Sequence, residues 1–256
     1  MIELDGVGRA FKTQAGDRIA ALDDISLIVG ENQFVTLLGP SGCGKSTLLK
    51  LVSGLMPVTS GTIRIHGAVV SEPFPEIGFV FQQPVLLPWR TVLGNVLFSI
   101  EMLGQDVSRF KDEAHNLLNL AGLGGYEDKF PRELSGGMQQ RVAICRALVH
   151  SPKLLLMDEP FGALDAMTRE EMSLVLVNIW ERRRKTILFV THSISEAVLL
   201  ADRVVVMSAR PGRIVGNMPI DLPRPRTAER QSDARFKAYS DEIRKMIFGN
   251  AERSLA

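Results

Sequence analysis

The sequence is poor in several residue types, and each shortage excludes something. Of 256 residues only 2 are cysteine, 2 tryptophan, 2 tyrosine and 4 histidine. Cys43 and Cys145 cannot build the disulfide framework of a small secreted scaffold, so both read as reduced thiols. No apolar run approaches the ~20 residues that span a bilayer, and Met1–Lys12 lacks the apolar stretch of a signal peptide. Any membrane role is therefore expected to work through a separate membrane protein. Net charge is nearly absent as well: 30 basic residues face 29 acidic ones, a formal +1. No long-range field draws nucleic acid, and no nucleic-acid partner is expected. Internal repeats and low-complexity tracts are lacking too.

What is present suits an α/β chain with a sizeable core, since 45% of residues are apolar. Short apolar runs recur at Phe34–Leu38, Ile77–Phe81, Leu154–Met157, Ile187–Val190 and Val204–Met207, each the length of a buried parallel strand. Helical patterns separate several of them, at Lys45–Gly54, Met138–His150, Arg169–Arg184 and Ser195–Ala201. That alternation predicts a mainly parallel sheet covered on both faces. Residues 1–30, with Thr62–Ile65 and Ala68–Val70, alternate apolar and polar like an antiparallel subdomain at one edge. From Gln83 to Leu134 the spacing is helical, at Val92–Leu103 and Phe110–Ala121, which predicts an inserted helical subdomain. Beyond Arg210 the prolines Pro211, Pro219, Pro223 and Pro225 predict an irregular segment before an amphipathic stretch, Phe236–Phe248.

Three motifs carry chemistry. Gly39-Pro40-Ser41-Gly42-Cys43-Gly44-Lys45-Ser46-Thr47 matches G-x-x-x-x-G-K-S/T between a strand and a helix. Glycines there let backbone N–H groups turn toward phosphate oxygens, and the helix N-terminus adds positive potential. Lys45 is expected at the β- and γ-phosphates and the Ser46 hydroxyl on Mg²⁺. Asp158 and Glu159 end an apolar strand, where one acid can hold Mg²⁺ and the next can act as general base on water. Between these motifs lies Leu134–Arg141, reading LSGGMQQR, with Ser135, Gly136 and Gly137 directly before a helix. Free N–H groups and the dipole favour an anion at that turn.

In that order the three motifs resemble the ABC ATPase family, the engines of ATP-driven membrane transporters. The resemblance covers essentially the whole chain. It implies a P-loop NTPase fold with a RecA-like core, in one ABC ATPase domain over 1–256. The core with its β subdomain would take 1–82 and 151–215, the helical subdomain 83–150 and a C-terminal extension 216–256. It implies ATP and Mg²⁺ as ligands. Gln82 matches the glutamine loop that senses Mg²⁺ and the attacking water, and His192 the switch histidine at the γ-phosphate. Asp165 matches the loop joining the two active sites of a dimer, and Phe11 the aromatic that stacks on adenine. Each site would be composite: Lys45, Ser46, Gln82, Asp158, Glu159 and His192 from one chain, Ser135–Gly137 from its twin.

Leu87-Pro88-Trp89-Arg90-Thr91-Val92 with Asn95-Val96, together with Phe161–Ala166 and Met207–Ile214, resemble the ATPases of nitrate, sulfonate and taurine importers. Importers of pyrimidine precursors and aromatic acids belong to the same group. The implied assembly is a homodimer at the cytoplasmic face of the inner membrane. It would sit beneath permease subunits fed by a periplasmic or lipid-anchored binding protein. Trp89 reads equally as an anchor for a permease helix or as a core tryptophan of the helical subdomain. After Arg210 the chain leaves little room for the added β-barrel domain of sugar-importer ATPases. Two other classes are set against this reading. A soluble ABC protein of DNA repair or translation would carry paired nucleotide domains or a long coiled coil between Lys45 and Ser135. An exporter would share the chemistry but differ at LPWRTV.

Overall fold

The computed structural model describes residues 1–13, 16–74 and 76–253. They form two compact units, one of Met1–Phe74 with Thr186–Ala256 and one of Pro75–Lys185.

The chain begins in the first unit. β1 (Ile2–Lys12) and β2 (Arg18–Val29) pair antiparallel, the predicted edge sheet. β3 (Phe34–Leu38) is buried at all five positions and leads through the phosphate loop into α1 (Lys45–Val52). β4 (Ser60–Ile65) then pairs with the other edge of β1, and β5 (Ala68–Val69) with β4.

In the second unit β6 (Ile77–Val80) lies parallel to β7 (Leu154–Asp158). Between them come α2 (Val92–Met102), α3 (Lys111–Leu120) and α4 (Gly136–Leu148), as the helical spacing predicts. α4 packs against both other helices, and Val96, Ile100, Leu117, Leu118 and Ile144 are buried among them. Burying each such side chain contributes about 1.5–3 kcal/mol. Cys145 lies in the same core, its Sγ donating to Leu117 O at 3.5 Å. Burial pushes its thiol up to about 12, so it is a packing residue without thiolate chemistry. α5 (Ala166–Arg182) closes the unit on the buried Trp180, whose indole N–H donates to Lys185 O at 2.8 Å. The basic run behind it is consumed locally: Arg183 pairs with Glu113, Arg184 stacks on Trp180, and Lys185 donates to Ser151.

The chain returns to the first unit with β8 (Thr186–Thr191), α6 (Ile194–Leu200), β9 (Arg203–Met207), β10 (Ile214–Pro219) and α7 (Ala234–Arg253). β8 and β9 flank β3 in parallel, which explains why all three are continuous apolar runs. β10 departs from the irregular segment predicted after Arg210. It pairs antiparallel with β9, and its last residue is Pro219, an edge-strand position where a missing N–H costs no ladder bond. α7 lies against α6, with Phe236 and Ile243 buried.

Candidate nucleotide site

In the first unit the phosphate loop leaves the end of β3. Gly44 has φ +100°, a left-handed value that a side chain strains to adopt, and it opens α1. Lys45 is 4% exposed; its ammonium donates to Gly39 O at 2.9 Å and to Pro40 O at 3.0 Å. The lysine therefore lies inside the loop whose phosphates it is expected to read. Arg210, arriving from the end of β9, donates to Gly42 O at 2.8 Å and braces the loop from outside. Cys43 is buried beneath it, while Ser41 and Gly42 are exposed and Ser46 and Thr47 are half-buried at the start of α1.

His192 belongs to the same strand ends. Leu38 and Thr191 are register partners, so Gly39 and His192 issue side by side from β3 and β8. His192 is exposed, yet its flanks are pinned. The Thr191 hydroxyl donates to the Glu196 carboxylate at 2.5 Å and accepts from the Ser193 N–H at 3.0 Å. Ser193 in turn caps α6, accepting from Glu196 N at 3.3 Å. Phe11 sits on β1 opposite Ile19, with the Arg9 guanidinium 5.0 Å from its ring centroid. Phe11 is 38% exposed, so a flat aromatic ligand can still reach it.

In the second unit Val80 and Met157 are register partners, and Gln82 and Asp158 follow at the same end. Glu159 has φ +43°, uncommon for a side-chain-bearing residue and a form of strain met at functional positions. The turn it opens is closed by Gly162 N donating to Glu159 O at 3.0 Å. A Cβ placed on Gly162 would stand 3.5 Å from Gln82 Nε2 and 3.6 Å from Glu159 Oε2. The amide and the carboxylate thus converge on one point. Gln140, on α4, donates to Phe81 O at 3.2 Å and ties that helix to the residue before Gln82.

Ser135 and Gly136 are exposed, and Gly137 is buried. Ser135 caps α4 by accepting from Met138 N at 3.3 Å, and Gln139 donates to Pro131 O and Leu134 O at 3.0 and 3.3 Å. Asp165 caps α5. Its carboxylate accepts from the Thr168 and Met167 N–H groups, both at 3.1 Å, and those bonds hold it below the usual carboxylate range.

In the second unit the loop before α2 gives Asn95 a role that the sequence does not assign and decides between the two readings of Trp89. Asn95 is fully buried: it accepts from Leu87 N at 2.7 Å and donates to Leu87 O, Arg90 O and Thr91 O at 3.0–3.1 Å. It locks the loop before α2. Trp89 on that loop is 71% exposed, which removes the core alternative; the buried tryptophan is Trp180. The sequence signal for Asn95 was a polar residue on the apolar face of α2.

The donors present fit a nucleotide and a hard cation held jointly with its phosphates. The buried lysine in its cradle of carbonyls supplies the charge for a polyphosphate. Among the described residues no group of three or more His, Cys, Asp or Glu could hold a metal ion by protein ligands alone. A magnesium ion suits such a site, since it keeps phosphate and water oxygens and needs one or two protein ligands.

A glycine-cradled lysine at the carboxyl end of a parallel strand defines a P-loop nucleotide-binding protein. Comparison with known proteins narrows this. The family model described as ABC transporter matches residues 22–162. The taurine import ATP-binding protein of Rhizobium johnstonii is 44% identical over 254 residues, covering 96% of each chain. The nitrate import ATP-binding protein of Synechocystis sp. is 44% identical over 254 residues, covering 97% of this chain and 95% of its own. Among solved structures, the ATP-binding cassette MJ0796 in a dimeric post-hydrolysis state bound to ADP and Pi superposes with a TM-score of 0.73. It is 32% identical and covers 87% of this chain and 100% of its own. The chain belongs to the ABC transporter family, as one of its ATP-binding proteins.

Proposed function

We propose that this chain is the ATP-hydrolysing subunit of an importer for a small solute of the aliphatic sulfonate, taurine or nitrate kind. Relatives over essentially the whole chain are taurine and nitrate import proteins, which supports that reading. No helix among the described residues is long and apolar enough to cross a membrane, so permease subunits would be separate chains, met at the cytoplasmic face. The exposed Trp89 is the anchor we assign to that contact, on a loop that Asn95 has already ordered.

The observation that carries the chemistry is the convergence of Glu159 and Gln82 on the turn at Gly162. On this reading Glu159 takes the proton of the attacking water, and Gln82 and His192 orient water and γ-phosphate. Lys45 and the backbone of Gly39, Ser41, Gly42, Cys43, Gly44 and Thr47 hold the phosphates, and Phe11 holds the base. Ser46, Asp158 and Gln82 are the residues that would hold Mg²⁺, which when bound neutralises charge on the phosphoryl oxygens. Ser135, Gly136 and Gly137 complete the site of a second copy, with Asp165 at the joint, so the working unit is a homodimer. A periplasmic or lipid-anchored binding protein would deliver the solute to the permease.

Glu159→Gln tests the assignment. The carboxamide keeps the shape but cannot take a proton. Turnover should fall about 100-fold or more while ATP binding persists and ATP-bound dimer accumulates. Wild-type hydrolysis by this variant, measured as phosphate release, would show that Glu159 is not the base.

A further inference from the structure

Two of the three arginines between β10 and α7, Arg224 and Arg226, grip the chain ahead of them and have no part in the site described above. Arg226 is 3% exposed. One of its terminal nitrogens donates to Val198 O, Leu199 O and Ala201 O at 3.1, 3.2 and 2.6 Å. The other donates to Ile220 O and Leu222 O at 3.1 and 3.3 Å. Arg224 donates to Leu200 O and to the Asp202 carboxylate, both at 2.8 Å. Every carbonyl from Val198 to Ala201 therefore accepts from a guanidinium.

Those carbonyls close the C-terminal end of α6, where a helix lacks internal partners and its dipole is negative. α6 has only seven residues, too short to persist on its own hydrogen bonds. A guanidinium is expensive to bury, and one placed against so many carbonyls must come to rest in a single geometry. The contacts also extend beyond the helix. Asp202, which receives Arg224, accepts from Phe34 N at 2.9 Å, and its own N–H donates to Phe34 O at 2.8 Å. Phe34 opens β3, the strand that ends at the phosphate loop, and α6 starts two residues after His192.

We propose that Arg224 and Arg226 are positioning residues for hydrolysis. By clamping the end of α6 to Asp202 and the base of β3, they hold His192 at a fixed place beside the phosphate loop. The inference rests on the reading of His192 as the γ-phosphate contact. Both guanidinium groups are engaged with backbone carbonyls and Asp202, so loss of the clamp should spare binding and slow the chemical step.

The test is a double-mutant cycle on the full chain, reading kcat and KM for Mg-ATP. Lysine at 226 keeps the charge but cannot span the five acceptors. Arg226→Lys should lower kcat about tenfold with KM changed less than about twofold. In a His192→Ala background the same change should alter kcat by less than about twofold, because the group it positions is gone. An equal loss in both backgrounds, or a raised KM with unchanged kcat, would overturn the clamp and leave the reading of the site intact. Wild-type turnover by His192→Ala alone would overturn both. If Arg226→Lys does not fold, Arg224→Lys enters the same cycle, with an expected loss of about threefold that must likewise vanish without His192.

Discussion

Two helices of this molecule begin at turns expected to face a γ-phosphate, and they are held in opposite ways. α4 starts behind Ser135 and α6 behind Ser193, each serine accepting from an N–H three residues on at 3.3 Å. α4 runs 13 residues and is fixed along its length by its own side chains: Gln140 on Phe81 O, Arg141 on Ala121 O, Arg146 on Pro84 O and Val85 O. α6 runs 7 residues, and the side-chain ties described above gather at its two ends, Glu196 and Ser193 with Thr191 at the start and Arg224 with Arg226 at the finish. A long helix tied at many points loses little when one tie goes. A two-turn helix whose hydrogen-bonded ties sit at its ends, with packing as its other hold, should lose much of its definition with either tie.

The largest expected break in that comparison is Thr191→Val. Valine keeps the shape but removes the hydroxyl that serves Glu196 and Ser193 N, leaving a buried carboxylate with one partner fewer. The cost should be about 2–3 kcal/mol in denaturant unfolding, with a parallel loss of turnover as His192 loses its pinned flank. A change below about 0.5 kcal/mol would mean that α6 does not depend on this end. Next in size is Ser193→Ala, which removes the cap alone and should cost about 1–1.5 kcal/mol. Stability and turnover should fall together here too, because helix and histidine turn are one element.

The same contrast explains what could be read from the residues alone. The phosphate loop was legible because its geometry is local: glycines, lysine and hydroxyl lie within nine consecutive positions between a strand and a helix. Ser135 and the Asp158–Glu159 pair were legible for the same reason. Gln82 and His192 stood out through their places after apolar strands, and β3 with β8 does put Gly39 and His192 side by side. The α6 clamp was not legible. Arg226 bonds to carbonyls 25–28 positions earlier, and no periodicity links Pro223-Arg224-Pro225-Arg226 to that helix. β10 was hidden likewise, since an edge strand interrupted by Gly216 and ended by Pro219 has neither alternation nor a continuous apolar run. Asn95 entered only as part of a family resemblance. Its role exists only once the 87–91 loop folds back over it.

The smallest expected effect is also the sharpest probe of the comparison. Ser135→Ala removes the cap of α4, but the first turn keeps Gln139 donating to Pro131 O and Leu134 O, and the helix keeps its outward ties. Unfolding stability should therefore drop by only about 0.5 kcal/mol, well below the cost at Ser193. Turnover should not follow that small number. If Ser135 faces the triphosphate of a second copy, its hydroxyl is lost from a pocket that the first copy cannot complete, and kcat should fall about tenfold or more. Stability and activity would then separate at Ser135 and move together at Ser193. Parallel small losses at Ser135 would reduce that serine to a helix cap and remove the partner-site role from the turn.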